Sequence, residues 1–269
     1  MRAAVAVALA AVLVAAACSS PAAAPRGSGA TGATDLTVFG AASLKGVLAK
    51  ARTAYEAAHP QVRLTISTDS SAALETQIEQ GAPADIFLSA DTSNPKKLVD
   101  KGMAEGAARA FATNLLIVIV PAANPAAIKS PIDLARPGIK IVAAGEAVPI
   151  SKYAAQVIAN LARQPGYPAD FAARYTSNVV SHEDNVGGVV AKVELGEADA
   201  GIVYRTDARA STKVATVAIP PDANVPATYA GVVVKASAHR PAAGVFLDWL
   251  VGGDGQAFLG TFGFLPPTS

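Results

Sequence analysis

Hydroxyl and capping residues recur where apolar runs give way to helical spacing. Ser43 follows Phe39-Gly40-Ala41-Ala42, and Ser70-Ser71 follows the run at 65–68. Pro149-Ile150-Ser151 precedes Lys152, and Asp184-Asn185 precedes Val186. A helix N-terminus offers unpaired backbone N–H groups and a partial positive charge. Serines there add O–H donors, so several such turns brought together would cradle an anion. Taken singly, each reads as an ordinary N-cap, since Ser, Asp and Asn are the favoured capping residues. Periodicity alone does not say whether the turns converge.

Other candidates lead elsewhere. Asp85 and Asp91 flank a short apolar run and could suggest paired-carboxylate catalysis; they read as loop caps, because an exposed carboxylate would repel an anion. His182-Glu183-Asp184 could be a triad fragment, but the chain has no G-x-S-x-G elbow and sequence neighbours seldom face one another. Tyr204 ends an apolar run, where a tyrosine is usually a core aromatic with its hydroxyl at the surface. The three histidines, His59, His182 and His239, lack metal-ligand spacing, and the single cysteine, Cys18, excludes disulfide frameworks and cysteine zinc sites.

These turns need elements to hold them. Leu36-Thr37-Val38-Phe39 alternates as a strand, and Leu44, Val47, Leu48, Ala51 and Tyr55 follow at helical spacing until His59-Pro60. Strands are expected at 62–67, 86–88, 115–120, 139–143, 179–180, 200–203 and 229–234. Helices are expected at 72–80, around Leu98-Val99, and at 152–161, 186–195, 241–250 and 256–262. The wholly apolar run at 115–120 suits a central parallel strand. This alternation predicts an α/β fold with mostly parallel sheets, in which ligands bind beyond the carboxyl ends of the strands.

The chain has 269 residues, 51% of them hydrophobic and 16% charged, with 22 Lys and Arg against 21 Asp and Glu. That composition is globular, and a near-neutral chain without a basic run argues against nucleic acid as a partner. Residues 1–17, MRAAVAVALAAVLVAAA, read as a secretory signal peptide, too short to span a bilayer. Ala15-Ala16-Ala17-Cys18-Ser19-Ser20 resembles a bacterial lipoprotein signal, with Ala15 where Leu is usual and Cys18 the lipidated residue. Residues 18–34, rich in Pro, Gly, Ser and Ala, then form a lipid-tethered flexible linker. Gly27-x-Gly29-x-x-Gly32 within it is a false dinucleotide fingerprint, having no strand before it and no helix after it. The expected protein is extracytoplasmic and anchored to the cell membrane.

Three stretches carry a family resemblance: Val38-Phe39-Gly40-Ala41-Ala42-Ser43-Leu44, Gly81-Ala82-Pro83-Ala84-Asp85-Ile86-Phe87-Leu88-Ser89-Ala90-Asp91 and Gly196-Glu197-Ala198-Asp199-Ala200-Gly201-Ile202-Val203-Tyr204. Together they resemble the periplasmic molybdate-binding proteins, the substrate-binding components of molybdate ABC transporters, over about residues 35–266. The resemblance implies a two-lobed periplasmic-binding-protein fold with the ligand in the cleft and a two-segment hinge near 114–121 and 226–233. Lobe one would comprise 35–113 plus 230–269, and lobe two 114–229. The family's ligand-binding residues fall on Ser43, Ser71, Ile150, Val186 and Tyr204. Two positions depart in part: Ile150 stands where a small residue is frequent, and Gly187-Gly188 replaces better helix formers at about 1 kcal/mol each.

On this resemblance the protein is no enzyme and has no cofactor; molybdenum is held only as the oxyanion, through its oxygens. Molybdate is a tetrahedral dianion without a proton, so its site needs donors and no acceptors, and tungstate should bind alike. The implied partners are a membrane permease and its cytoplasmic ATPase, with the binding protein a monomer. Sulfate or another tetrahedral oxyanion is the alternative ligand, distinguished by cavity size for sulfate and by a carboxylate acceptor for phosphate. A hydrolase using Ser43 or Ser71 is the remaining rival, and neither serine has an identifiable general base.

Overall fold

The first strand, β1 (Thr34–Ala41), leads through a 3-10 turn (Ala42–Leu44) into α1 (Lys45–Ala58). These and all later elements come from a computed structural model that describes residues 33–267; the expected signal peptide, Cys18 and nearly all of the expected linker lie outside the described residues. The helical spacing read from the sequence is the buried face of this first helix: Leu44, Val47, Leu48, Ala51 and Tyr55 all point inward. Then follow β2 (Val62–Asp69), α2 (Ser71–Glu79), β3 (Ile86–Ser89), α3 (Ser93–Asp100) and β4 (Ala104–Asn114).

After one residue, Leu115, the chain enters a second set of elements. These are β5 (Leu116–Pro121), β6 (Ile141–Ala144), α4 (Pro149–Leu161), α5 (Phe171–Ser177), β7 (Val179–Glu183), α6 (Val186–Glu194), β8 (Ala200–Tyr204), α7 (Arg205–Ala210) and β9 (Val214–Val217). The chain returns through β10 (Ala227–Val234) to α8 (Arg240–Val251) and α9 (Gly253–Thr261).

Two five-stranded sheets result, ordered β2-β1-β3-β10-β4 and β7-β6-β8-β5-β9. Each is the scaffold of one α/β lobe. Both are mixed: three parallel strands are joined by helical crossovers, one strand (β10 or β5) runs antiparallel beside them, and the edge strand beyond it (β4 or β9) runs antiparallel to that one and so again with the first three. The run expected as a central parallel strand is β5, buried as its apolarity requires but antiparallel to both β8 and β9. Apolarity on both faces reports burial and not direction. β5 enters from the other lobe without a crossover helix, so nothing turns it to run with β6 and β8.

The elements missing from the sequence reading are β4, α5, α7 and β9. Most of β4 is small and solvent-facing until Phe111, and it is a strand because it pairs with β10 along the sheet edge. Where the two crossing segments meet, Asn224 donates from Nδ2 to the Leu116 carbonyl at 2.8 Å and accepts from the Leu116 N–H at 3.1 Å. Asn114, the last residue of β4, donates to Thr206 Oγ1 at 2.8 Å. A hinge made of two crossings pinned by short hydrogen bonds can bend with little disturbance to either core.

Candidate functional site

The turns singled out in the sequence converge. One small cavity between the lobes is lined by Ala41, Ala42 and Ser43 after β1, Ser70 and Ser71 at α2, and Ala90 after β3. From the other lobe come Val148, Pro149 and Ile150 at α4, Asn185 and Val186 at α6, and Tyr204 closing β8. Three α-helix starts and a 3-10 turn therefore point at one place. All five residues transferred from the family resemblance line it, and no lining residue carries a formal charge. The space open to the centre of a water-sized sphere is about 10 Å3. Ordinary ligand pockets span roughly 300–1,000 Å3 and about 10–15 Å3 on this measure holds one water, so with the lobes in this arrangement the cavity is nearly filled by its own lining and excludes any large ligand.

Each donor is held from behind. Ser43 Oγ lies 2.8 Å from Tyr229 Oη, deep in the first lobe. Ser71 is the first residue of α2, and its Oγ accepts the Ala90 N–H at 3.0 Å, leaving its own O–H to donate elsewhere. Ile150 and Val186 are the second and first residues of α4 and α6, positions whose N–H has no acceptor within the helix. Ile150 is buried and also lines the groove between α4 and α5, so the larger side chain coexists with the helix start. Ser151, by contrast, donates back to the carbonyls of Ala144 and Gly145 at 2.9 and 2.7 Å, which pins the β6–α4 loop.

Tyr204 is the most informative of the five. Its ring packs edge-on against Tyr229 with centroids 5.5 Å apart, and it is only 1% exposed. Its hydroxyl is buried and has no hydrogen-bond partner in the protein. Leaving a buried hydroxyl unpaired costs about 1–3 kcal/mol, so its retention here points to a partner from outside the chain. Burial, reinforced by nearby negative groups, raises the Tyr204 hydroxyl well above the ordinary tyrosine value, and Tyr229 behaves alike. Both therefore remain protonated donors at any physiological pH.

Gly201, in the Gly-Ile-Val-Tyr segment, sets how close α6 comes to β8. A Cβ there would lie 2.7 Å from Val189 Cγ1 and 3.2 Å from the Val142 carbonyl oxygen.

Three supporting residues escaped the sequence reading. Tyr229 sits in an apolar strand with nothing to mark it off from a core aromatic. Tyr153, on α4, has its hydroxyl pushed up to about 12 by burial and then by the charge of Asp91. Asp207 accepts the Tyr204 N–H at 3.2 Å, and burial pushes its carboxyl up to about 7.

The tempting carboxylates are structural. Asp91 accepts from the N–H and amide of Asn94 and from Ser89, capping α3. Asp85 accepts the Thr37 N–H at 2.7 Å and also bonds Ser237 and His239. Glu183 pairs with Lys192 at 2.7 Å, so the 182–184 cluster forms no triad. Among the described residues no group of three or more His, Cys, Asp or Glu could hold a metal ion.

Comparison with known proteins agrees with this geometry. Residues 36–265 match the family described as bacterial extracellular solute-binding protein. Over 260 residues the chain is 35% identical to the molybdate-binding protein ModA of Mycobacterium tuberculosis, covering 96% of this chain and 95% of that one. It is 32% identical over 237 residues to ModA of Escherichia coli K12, covering 85% and 88%. The periplasmic molybdate-binding protein of Azotobacter vinelandii superposes with a TM-score of 0.73 at 25% identity, over 87% of this chain and all of that one. Two lobes closing on a small uncharged cavity of hydrogen-bond donors, in a chain related along nearly its whole length to ModA, are those of a binding protein and not an enzyme: the chain belongs to the bacterial extracellular solute-binding proteins, and within them it is a relative of the molybdate-binding proteins.

Proposed function

We propose that the chain captures molybdate, and tungstate as its near-isostere, in the inter-lobe cavity and delivers it to an ABC permease driven by a cytoplasmic ATPase. The ligand-binding groups are the hydroxyls of Ser43, Ser71 and Tyr204 and the backbone N–H groups of Ile150 and Val186. The observation that carries this reading is the buried, unpartnered Tyr204 hydroxyl among converging helix starts. A proton-free dianion suits such a site, because every lining group invoked is a donor. Neutral dipoles spread over four oxygens offset the charge without an arginine or lysine. At about 1.5–3 kcal/mol for each hydrogen bond to a charged group, several bonds cover a sub-micromolar affinity after association and closure costs.

No carboxylate lines the cavity, so a protonated phosphate would present its proton to donors alone and is disfavoured. Sulfate matches the donors in charge and is separated by size. In this reading the protein works as a monomer without a cofactor, tethered outside the cytoplasm through an acylated Cys18. The test is a thermal-shift panel with molybdate, tungstate, sulfate and phosphate. Ligand at a hundredfold over Kd adds about 2.7 kcal/mol, a rise of roughly 5–10 °C. A rise with molybdate and tungstate alone supports the reading. A rise with sulfate or phosphate alone replaces the ligand, and none with any of them removes the oxyanion.

A further inference from the structure

We infer that Asn185 and Asp69 form a clasp across the cleft, and that it holds the lobes shut by tying together two of the helix starts that line the cavity. Asp69 ends β2 in the first lobe and Asn185 caps α6 in the second. Asn185 Nδ2 donates to Asp69 Oδ1 at 3.0 Å. The same Asp69 oxygen accepts the Ser70 N–H at 2.7 Å, just ahead of Ser71. Asn185 Oδ1, at the other end of the amide, accepts the Gly188 N–H at 3.2 Å and caps the helix that begins with Val186. One side chain thus fixes the start of α6 and reaches the start of α2 in the opposite lobe.

The choice of residue supports this. As caps, Asn, Asp and Ser are about equal. Only the amide can accept from its own helix and also donate to a carboxylate: a second carboxylate would repel Asp69, and a serine hydroxyl would fall short. Gly187 fits the same scheme, since a Cβ there would come within 3.1 Å of Asn185 Oδ1. The glycine leaves room for the capping amide where a better helix former would crowd it. The bond lies apart from the hinge. Asp69 also borders a groove formed by α2, the β6–α4 loop and the end of β7, with no residue of β4, β5 or β10 in its lining. Opening the cleft must break it, and a bond to a charged acceptor across the opening edge adds directly to the closed state.

This inference rests on the reading that the lobes close on an oxyanion, and its test separates the two. Dyes on an R52C/R163C pair in a C18S background, one in each lobe, report the inter-lobe distance. The proteins compared are wild type, N185S, N185D and the exchange D69N/N185D. N185S keeps the cap and adds no charge, so a general loss of structure is not its expected effect. Without anion, N185S and N185D should shift toward longer distances. The exchange should return them, because amide and carboxylate then trade places across the same gap and one can again donate to the other. With molybdate, N185S should release ligand about tenfold faster while associating within about twofold of wild type, as expected for losing one bond of this kind. Identical distances and identical release rates in N185S and wild type overturn the clasp. If molybdate, tungstate and sulfate all leave wild type unaltered, the ligand reading fails, and the anion-free distances still decide the clasp.

Discussion

Removing one oxygen from Tyr204 should move apo stability and ligand affinity in opposite directions. With the lobes together the hydroxyl is buried without a partner in the protein, so closing on an empty cavity carries its desolvation cost. Tyr204→Phe removes that atom and leaves intact both the edge-on ring contact with Tyr229 and the bond between Ser43 Oγ and Tyr229 Oη. An unpaired buried hydroxyl costs about 1–3 kcal/mol, so the apo variant should be as stable as wild type or up to about 2 kcal/mol more stable. A hydrogen bond to a charged ligand contributes about 1.5–3 kcal/mol, so Kd for molybdate should rise about 10- to 150-fold. Urea melts without anion give the first quantity and titration calorimetry the second. Tyr229→Phe is the counterpart: it breaks an existing bond and should destabilise the apo protein by about 1 kcal/mol. If Tyr204→Phe destabilises the apo protein and leaves Kd unchanged, the Tyr204 hydroxyl is a structural group and not a ligand donor.

Ser43→Ala with Ser71→Ala should weaken molybdate binding by about 3–6 kcal/mol, two charge-assisted bonds, with an unchanged far-UV spectrum; retained affinity would remove both serines from the site. The carboxyl of Asp207, raised to about 7 by burial, should make stability pH-dependent. Between the ordinary carboxylate value and about 7 the folded state binds a proton that the unfolded state has lost, so stability is fully present below about pH 4 and falls as pH rises to about 7. Full burial would give about 4 kcal/mol. Asp207 keeps some contact with solvent, which reduces the effect to about 2 kcal/mol. Urea melts across that range should show the slope in wild type and a flatter profile in Asp207→Asn, and equal slopes would reject the assignment. Gly201→Ala should cost about 1–3 kcal/mol through overpacking against Val189 and the β6 backbone, and should weaken binding by displacing the start of α6; an unchanged melting midpoint and Kd would show that this close approach is not needed.

Much of the molecule was legible because helix and strand periodicities are local. Leu44, Val47, Leu48, Ala51 and Tyr55 declare the buried face of α1 through their spacing alone. The strand-to-helix turns were legible for the same reason, since capping chemistry lies within a few residues. What failed was non-local. Strand β4 owes its existence to β10, more than a hundred residues later, and β5 runs antiparallel because of where the chain enters its sheet. Asn185 looked like an ordinary cap, and its second bond ends on Asp69, 116 residues away.

The sequence by itself determined which groups could serve: hydroxyls and helix-start N–H groups at turns that follow strands, in a chain with an α/β pattern. Those properties follow from residue type and short-range spacing, which any stretch of chain carries with it. Tertiary structure alone decided that three α-helix starts and a 3-10 turn from two lobes share one uncharged cavity, that the Tyr204 hydroxyl ends there unpartnered while Ser151 turns away, and that the Asn185 amide reaches across the cleft to Asp69. Each of these depends on pairings between distant segments, and their geometry is set only when both sheets and the hinge have formed.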